Sequence, residues 1–238
     1  MKLVTAVMVT GKHPERQPFA DAAIRSFEQQ DYPKKQLVII SDAPEGPETY
    51  MGRTYNVCTK LVFPGGKRSL GELRNEGLRE ADGEYIVQWD DDDWRHPTCV
   101  SYMMEYAQQN KALTLQSQLR YSFRTDCGYA YRRTSGREGI CGTVLHHNRP
   151  GLGYESIGQH EDCRFLKTHF PGELQIIDNR MEPHLYLRFY HGNNPWDEDH
   201  IMQRYSQESL RGKRIMPQDS EVYLKEVLEK EYIGCVSL

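Results

Sequence analysis

The chain has 238 residues, with 30 Lys plus Arg against 34 Asp plus Glu, a formal net charge of −4 and a pI near 6.1. That length favours one large α/β domain over two small ones, and the slight acidity excludes a global basic field that would draw the chain to nucleic acid or an anionic membrane. No apolar run reaches the roughly 18 residues of a membrane span, and MKLVTAVMVTGKHPE has no small-residue cleavage site behind its short apolar stretch, so a cytoplasmic protein is expected.

Residues 3–9 (LVTAVMV) form a continuous apolar, β-branched run that stops at Thr10-Gly11, as a doubly covered parallel strand does. Over 18–30, Phe19, Ala22, Ala23 and Phe27 recur at helical spacing, with Pro33 beyond them. QLVIIS (36–41) is a second strand that runs into Asp42 and the turn-forming APEGP. A third strand is expected over 55–63, then a helix over 69–81 with Ser69 and Glu72 in capping-box positions and Asp82-Gly83 after it. Residues 85–89 are a fourth strand and 97–109 a helix with Val100, Met103, Met104 and Ala107 inward. Beyond 110 the pattern loosens: LTLQSQL (113–119) and GTVLHH (142–147) predict strands, 161–168 a short helix, 185–190 a strand and 222–230 a terminal helix. Strand alternating with helix argues for a mostly parallel sheet with right-handed crossovers. Ligands bind such sheets outside the carboxyl ends of the strands, where Thr10, Asp42 and the run Asp90 to Asp93 fall.

Six cysteines, Cys58, Cys99, Cys127, Cys141, Cys163 and Cys235, include no C-x-x-C pair. The spacing predicts reduced thiols packed as small hydrophobes, with neither a disulfide frame nor a zinc site.

Four consecutive aspartates at a strand end are costly. Neighbouring carboxylates about 5 Å apart repel by about 3 kcal/mol per pair at an effective dielectric near 20. Either the run is solvated or a cation offsets it, and hard ions such as Mg2+ or Mn2+ take one or two carboxylates together with substrate phosphates. A calcium loop counted from Asp90 fails, because Arg95 replaces the required glycine and Ser101 the required glutamate; a P-loop fails because Arg68 follows Gly66-Lys67.

The run sits in GELRNEGLREADGEYIVQWDDDDWRHP (71–97), which resembles the inverting family-two glycosyltransferases of the GT-A fold in its Arg-Asn, its Ala-x-Gly-Glu-Tyr-Ile, and its Asp-x-Asp-Asp with a proline four residues on. The likeness covers residues 3–97 well and is patchier afterwards. It implies a single GT-A domain over 1–238, a Rossmann-like, mostly parallel sheet with helices on both sides. Within it, 1–110 would bind the nucleotide sugar, 111–200 the acceptor, and 201–238 would be a helical segment.

It further implies that Asp92 ligates a Mn2+ or Mg2+ ion on the donor diphosphate and that Asp90 holds the ribose or a metal-bound water. Asp91 fills the variable slot on the nucleotide-sugar side, and Asp93 is a second ligand or a helix cap. Thr10 and Asp42 would face the base, Asp42 accepting from a uracil imide, although TGKHPER and SDAPEG depart from the family's usual residues there. Arg74 would point at the diphosphate, and Asn75 is as readily structural. Inverting transfer needs a general base, and Glu161-Asp162 in HEDCRFLKTHF (160–170) resembles the family's Glu-Asp pair, with Asp162 as base and Glu161 as the alternative. In LYLRFYHGNNPWDEDH (185–200), His191 is the candidate to complete the metal site, and Trp196 either covers the acceptor or the sugar face or packs in the core.

The stretch 119–137 interleaves Arg120, Arg124, Arg132, Arg133 and Arg137 with Tyr121, Phe123, Tyr129 and Tyr131, with Asp126 its only acid. It reads as two strands with arginines on the solvent side, or as a binding face for an anionic acceptor. The processive synthases' Gln-x-x-Arg-Trp is absent, since no arginine precedes any of the three tryptophans, so transfer of single hexose units is expected. The donor is a nucleotide sugar, UDP foremost, and the acceptor a glycan, a small molecule or, less favoured, nucleic acid. Competing readings are a nucleotidyltransferase or phosphohydrolase on the same carboxylates, and a non-catalytic nucleotide-sugar or glycan-binding module.

Overall fold

The computed structural model describes residues 1–11, 14–109, 111–124, 129–133, 137–192, 194 and 218–232. Trp196, Asp126, Cys127, Cys235 and all of 201–217 lie outside the described residues, as do the side chains of Tyr129, Tyr131, Arg132 and Arg133.

A seven-stranded sheet carries the first half. β1 (Val4–Thr10), β2 (Lys35–Ser41), β3 (Cys58–Val62) and β4 (Tyr85–Asp90) run parallel; with β6 (Ala112–Leu115), β9 (Ile140–His147) and β10 (Leu174–Ile177) the full order is β10-β6-β9-β4-β1-β2-β3. Strand alternation divides the core. Ala6, Met8, Leu37 and Ile39 face α1 (Gln17–Glu28), through Ala23, Ile24 and Phe27. Val7, Val38 and Ile40 face α3 (Leu70–Glu80), through Leu73. With helices on both sides, the strands read as unbroken apolar runs, and the architecture is GT-A.

α3 opens on the expected capping box: Ser69 Oγ accepts from Glu72 N, and the Glu72 carboxylate accepts from Ser69 N at 2.8 Å. Its Gly77 lets the helix lie flat on β1 and β2, since an added Cβ would overlap Val7. Parallel pairing of β1 with β2 aligns Thr10 with Ser41, and pairing with β4 aligns Val9 with Asp90, so three strand ends open on one edge.

The second half departs from the expected pattern. LTLQSQL is two strands in different sheets, β6 (Ala112–Leu115) and β7 (Ser117–Ser122), broken at Gln116 where Asn179 Oδ1 accepts from the backbone N–H groups of Gln116 and Ser117. β9 (Ile140–His147) lies antiparallel between β4 and β6, and β10 (Leu174–Ile177) adds to the edge. A second sheet, ordered β5-β11-β7-β8, joins β5 (Asp93–Arg95), β11 (Tyr186–Tyr190), β7 and β8 (Tyr129–Arg133). It buries Leu119, Leu187 and Phe189 against Phe19 of α1 and against Leu224 and Val227 of α6 (Gln218–Glu231).

APEGP makes the expected turn, with Gly46 N donating to Ala43 O at 3.0 Å, and runs into a short helix, α2 (Gly46–Tyr50). Two local expectations are corrected. α4 spans Cys99–Glu105 with Thr98 at its N-cap, so Asp93 caps nothing; it opens β5. Arg120 does not face solvent, being 8% exposed, although β7 and β8 do form the expected antiparallel pair. The cysteine expectation also fails: Cys141 on β9 and Cys163 on α5 (Glu161–His169) are joined as a disulfide with Cα atoms 5.4 Å apart. Local spacing does not show this pairing, because the two cysteines are 22 residues apart and meet only when α5 packs on β9.

Candidate active site

The aspartate run survives because every member accepts from a nearby donor, two of them sharing one arginine. Asp90 accepts from Arg74 Nη2 and from Gln88 Nε2, each at 3.0 Å. Arg16, from the turn before α1, reaches both Asp91 at 2.5 Å and Asp92 at 3.1 Å. Asp92 also lies 3.3 Å from His191 Nε2 and accepts from Asn194 Nδ2 at 3.1 Å. Asp93 turns the other way, accepting from the Tyr186 hydroxyl and, at 3.3 Å, from Phe189 N.

Burial and partner charge sort the four. Burial pushes the Asp91 carboxyl up to about 6 against the pull of Arg16. At Asp92, burial is outweighed by the His191 hydrogen bond and the Arg16 charge, which hold the carboxyl well below the usual range. Burial, reinforced by the Asp92 charge, raises Asp93 to about 8.

Arg74 ties this run to α5. Its Nε donates to Glu161 Oε1 at 3.0 Å while Nη2 holds Asp90, and the guanidinium is buried against the Tyr154 ring, 5.8 Å from its centroid. A planar fork serving two carboxylates is what arginine supplies and lysine does not. Neighbouring Asn75 is structural, exchanging hydrogen bonds with the backbone of Tyr154 at 2.7 and 2.9 Å. The chain enters α5 through His160 at φ 62°, a left-handed conformation uncommon for a non-glycine residue. That bend puts Glu161 and Asp162 in the first helical turn, where the dipole favours carboxylates. Glu161 is engaged by Arg74; burial pushes Asp162 upward, with Arg74 opposing.

A cavity of about 480 Å³ opens at this edge, a size suited to a small-molecule ligand. Thr10, Asp42, Arg74, Asp90, Asp91, Asp92, Glu161 and Asp162 all line it. Asp93 and His191 are not among its lining; both stand behind it, His191 packed at 4.5 Å on the Phe19 ring. Two cavity arginines, Arg16 and Arg188, escape a reading of the sequence, and Arg120 of the 119–137 stretch joins them in the lining. Arg16 lies in TGKHPER, where position predicts nothing about a partner 75 residues away. Arg120 and Arg188 had a signal in the strand alternation, since Leu119, Leu187 and Phe189 point into the second core and the arginines between them point the other way.

Parallel strands ending in carboxylates on such a cavity, under helices on both faces, define the GT-A class of fold. Residues 13–173 match glycosyl transferase family 2, and the chain belongs to that family. Among solved structures, S. aureus TarS is similar with a TM-score of 0.56 and 14% identity, over 97% of this chain and 43% of TarS, so this chain spans less than half of that protein. TarS 1-349 in complex with UDP-GlcNAc gives 0.58 and 13%, over 98% of this chain and 73% of that one. The mannosyltransferase PcManGT from Pyrobaculum calidifontis, in complex with GDP-Man and Mn2+, gives 0.59 and 15%, over 99% and 72%. No curated protein sequence matches the chain.

Proposed function

We propose that the protein is an inverting, metal-dependent glycosyltransferase that moves one sugar from a nucleoside-diphosphate sugar to an acceptor hydroxyl. The observation that carries this reading is the convergence of strand-end carboxylates Asp90 and Asp92 and helix carboxylate Asp162 on one cavity, coupled through Arg74. The donor set suits a hard cation: Asp90 and Asp92 offer carboxylate oxygens, and His191 and Asn194 orient Asp92 from behind. These residues would hold Mn2+ or Mg2+, which when bound stabilises charge on the departing diphosphate. Asp93, committed to Tyr186 and Phe189, is assigned to joining β5 and β11, and Asp91 to holding Arg16.

Thr10 and Asp42, at the ends of β1 and β2, are assigned to the nucleotide. Uridine is the first candidate, in keeping with Asp42 as an imide acceptor, and guanosine the second, since a mannosyltransferase of this fold is seen with GDP-Man. Arg74 and Arg188 supply permanent positive charge toward the diphosphate. Asp162 takes the proton from the acceptor hydroxyl as its oxygen attacks, and Arg74 keeps Glu161 from competing for it. Residues 1–110 form the donor half and 111–200, including Arg120, the acceptor half, with transfer of single hexoses. No helix among the described residues is long and apolar enough to cross a membrane, and we place the protein in the cytoplasm.

The test is a screen of nucleotide sugars with Mn2+ or Mg2+, following nucleoside diphosphate release. Asp162→Asn is expected to bind donor within a few-fold of the native chain while losing transfer by about 100-fold or more. An Asp162→Asn enzyme with full turnover would remove Asp162 as base; release of pyrophosphate or phosphate would favour a nucleotidyltransferase or phosphohydrolase.

A further inference from the structure

Beside the carboxylates, the same cavity presents a second, chemically softer set of ligands. Cys141, near the start of β9, and Cys163, in the first turn of α5, both line it, with Asp162 next to Cys163 in the chain and lining the same cavity. One carboxylate oxygen of Asp162 and the two sulfurs all lie within 4.8 Å of one another. In the structure the sulfurs are bonded to each other, and a neutral disulfide is a weak ligand because it carries no thiolate charge.

We propose that reduction of this disulfide creates a site for one thiophilic divalent cation of the Zn2+ class, held by Cys141, Cys163 and Asp162. A small-molecule dithiol entering the cavity attacks one sulfur through its thiolate. The Cys141–Cys163 bond breaks, the two electrons pass to the protein sulfurs, and the reductant leaves as its own disulfide. Cation binding then displaces the two thiol protons to solvent.

Two sulfurs around a tetrahedral zinc lie about 3.8 Å apart, a distance that side chains already in bonding contact reach by small χ1 rotations. Two thiolates and one carboxylate leave the fourth position for water on the cavity side. Thiolates select against Mg2+ and Mn2+, which stay with the all-oxygen set at Asp90 and Asp92. Resting on the assignment of Asp162 as base, the consequence is inhibition: a cation there occupies the lone pair that must take the acceptor's proton.

The test uses the full chain, reduced with dithiothreitol and then freed of it, titrated with Cd2+ while the thiolate-to-cadmium charge-transfer absorbance is followed. One equivalent is expected to bind. The band should fall to half or less in Cys141→Ser and in Cys163→Ser, which keeps the fold testable if one variant is unstable. Affinity should fall about tenfold in Asp162→Asn. Zn2+ should displace the Cd2+, excess Mg2+ should not, and the disulfide form should give no band. An undiminished band in both serine variants, or an equal band before reduction, overturns the site. Zn2+ is then expected to block transfer by the reduced chain only. If Cd2+ binds as described but Zn2+ leaves transfer untouched, the inhibition and the role of Asp162 fail while the site stands.

Discussion

At the residue scale, the site is decided by which cation answers which carboxylate. Arg74 is buried and serves Asp90 and Glu161 at once, so removing it strands two carboxylates in a water-poor environment. Breaking a buried pair from one side costs about 3 to 5 kcal/mol. Arg74→Gln is therefore expected to lower unfolding stability by about 3 kcal/mol, read by urea denaturation, and Arg74→Lys to recover only part because an ammonium has no fork. A loss below about 1 kcal/mol would mean that the carboxylates find water instead. The Arg-Asn dipeptide was legible because it sits in a local motif with Asp90. Arg16 was not, since its partners Asp91 and Asp92 become neighbours only when α1 docks beside β4.

At the element scale, α5 and β9 hold Asp162 in place. His146 of β9 has no exposed surface, packs 5.0 Å from the Phe165 ring of α5 and leaves Nε2 without a hydrogen-bond partner. Burial lowers its pKa from 6.5 to about 4. The sign follows directly: the unfolded chain takes up this proton first, so the contribution is complete above pH about 6.5 and is lost as pH falls toward about 4. The loss reaches about 3 kcal/mol at most, at 1.36 kcal/mol per unit. His146→Leu should flatten the difference in urea midpoint between pH 7 and pH 4.5; an unchanged slope would place the acid sensitivity elsewhere. Elements with a strong local signal were legible, α3 with its capping box above all. β5 and β10 were not, because strands of three and four residues exist here only through distant partners, β11 and β6.

At the scale of the whole molecule, the cavity lies where two sheets meet, with Asp90 ending a strand of the first sheet and Arg188 on a strand of the second. The parallel half of the first sheet was legible from alternating strands and helices. The antiparallel entry of β9 and the second sheet were not, since nothing local in residues 112–147 says that the chain changes sheets at Gln116. A ligand bound at this junction grips both sheets and so stabilises the entire fold. Donor nucleotide at about 100 times its dissociation constant should add about 2.7 kcal/mol, seen as a rise in melting temperature. In the proposed site, that rise needs a divalent ion and Asp92: chelation should remove most of it, and Asp92→Asn, which keeps the shape and loses the charge, should make the native and chelated values coincide. If donor stabilises the chelated protein just as well, Arg16, Arg74 and Arg188 alone carry the diphosphate and the acidic run serves only to position them.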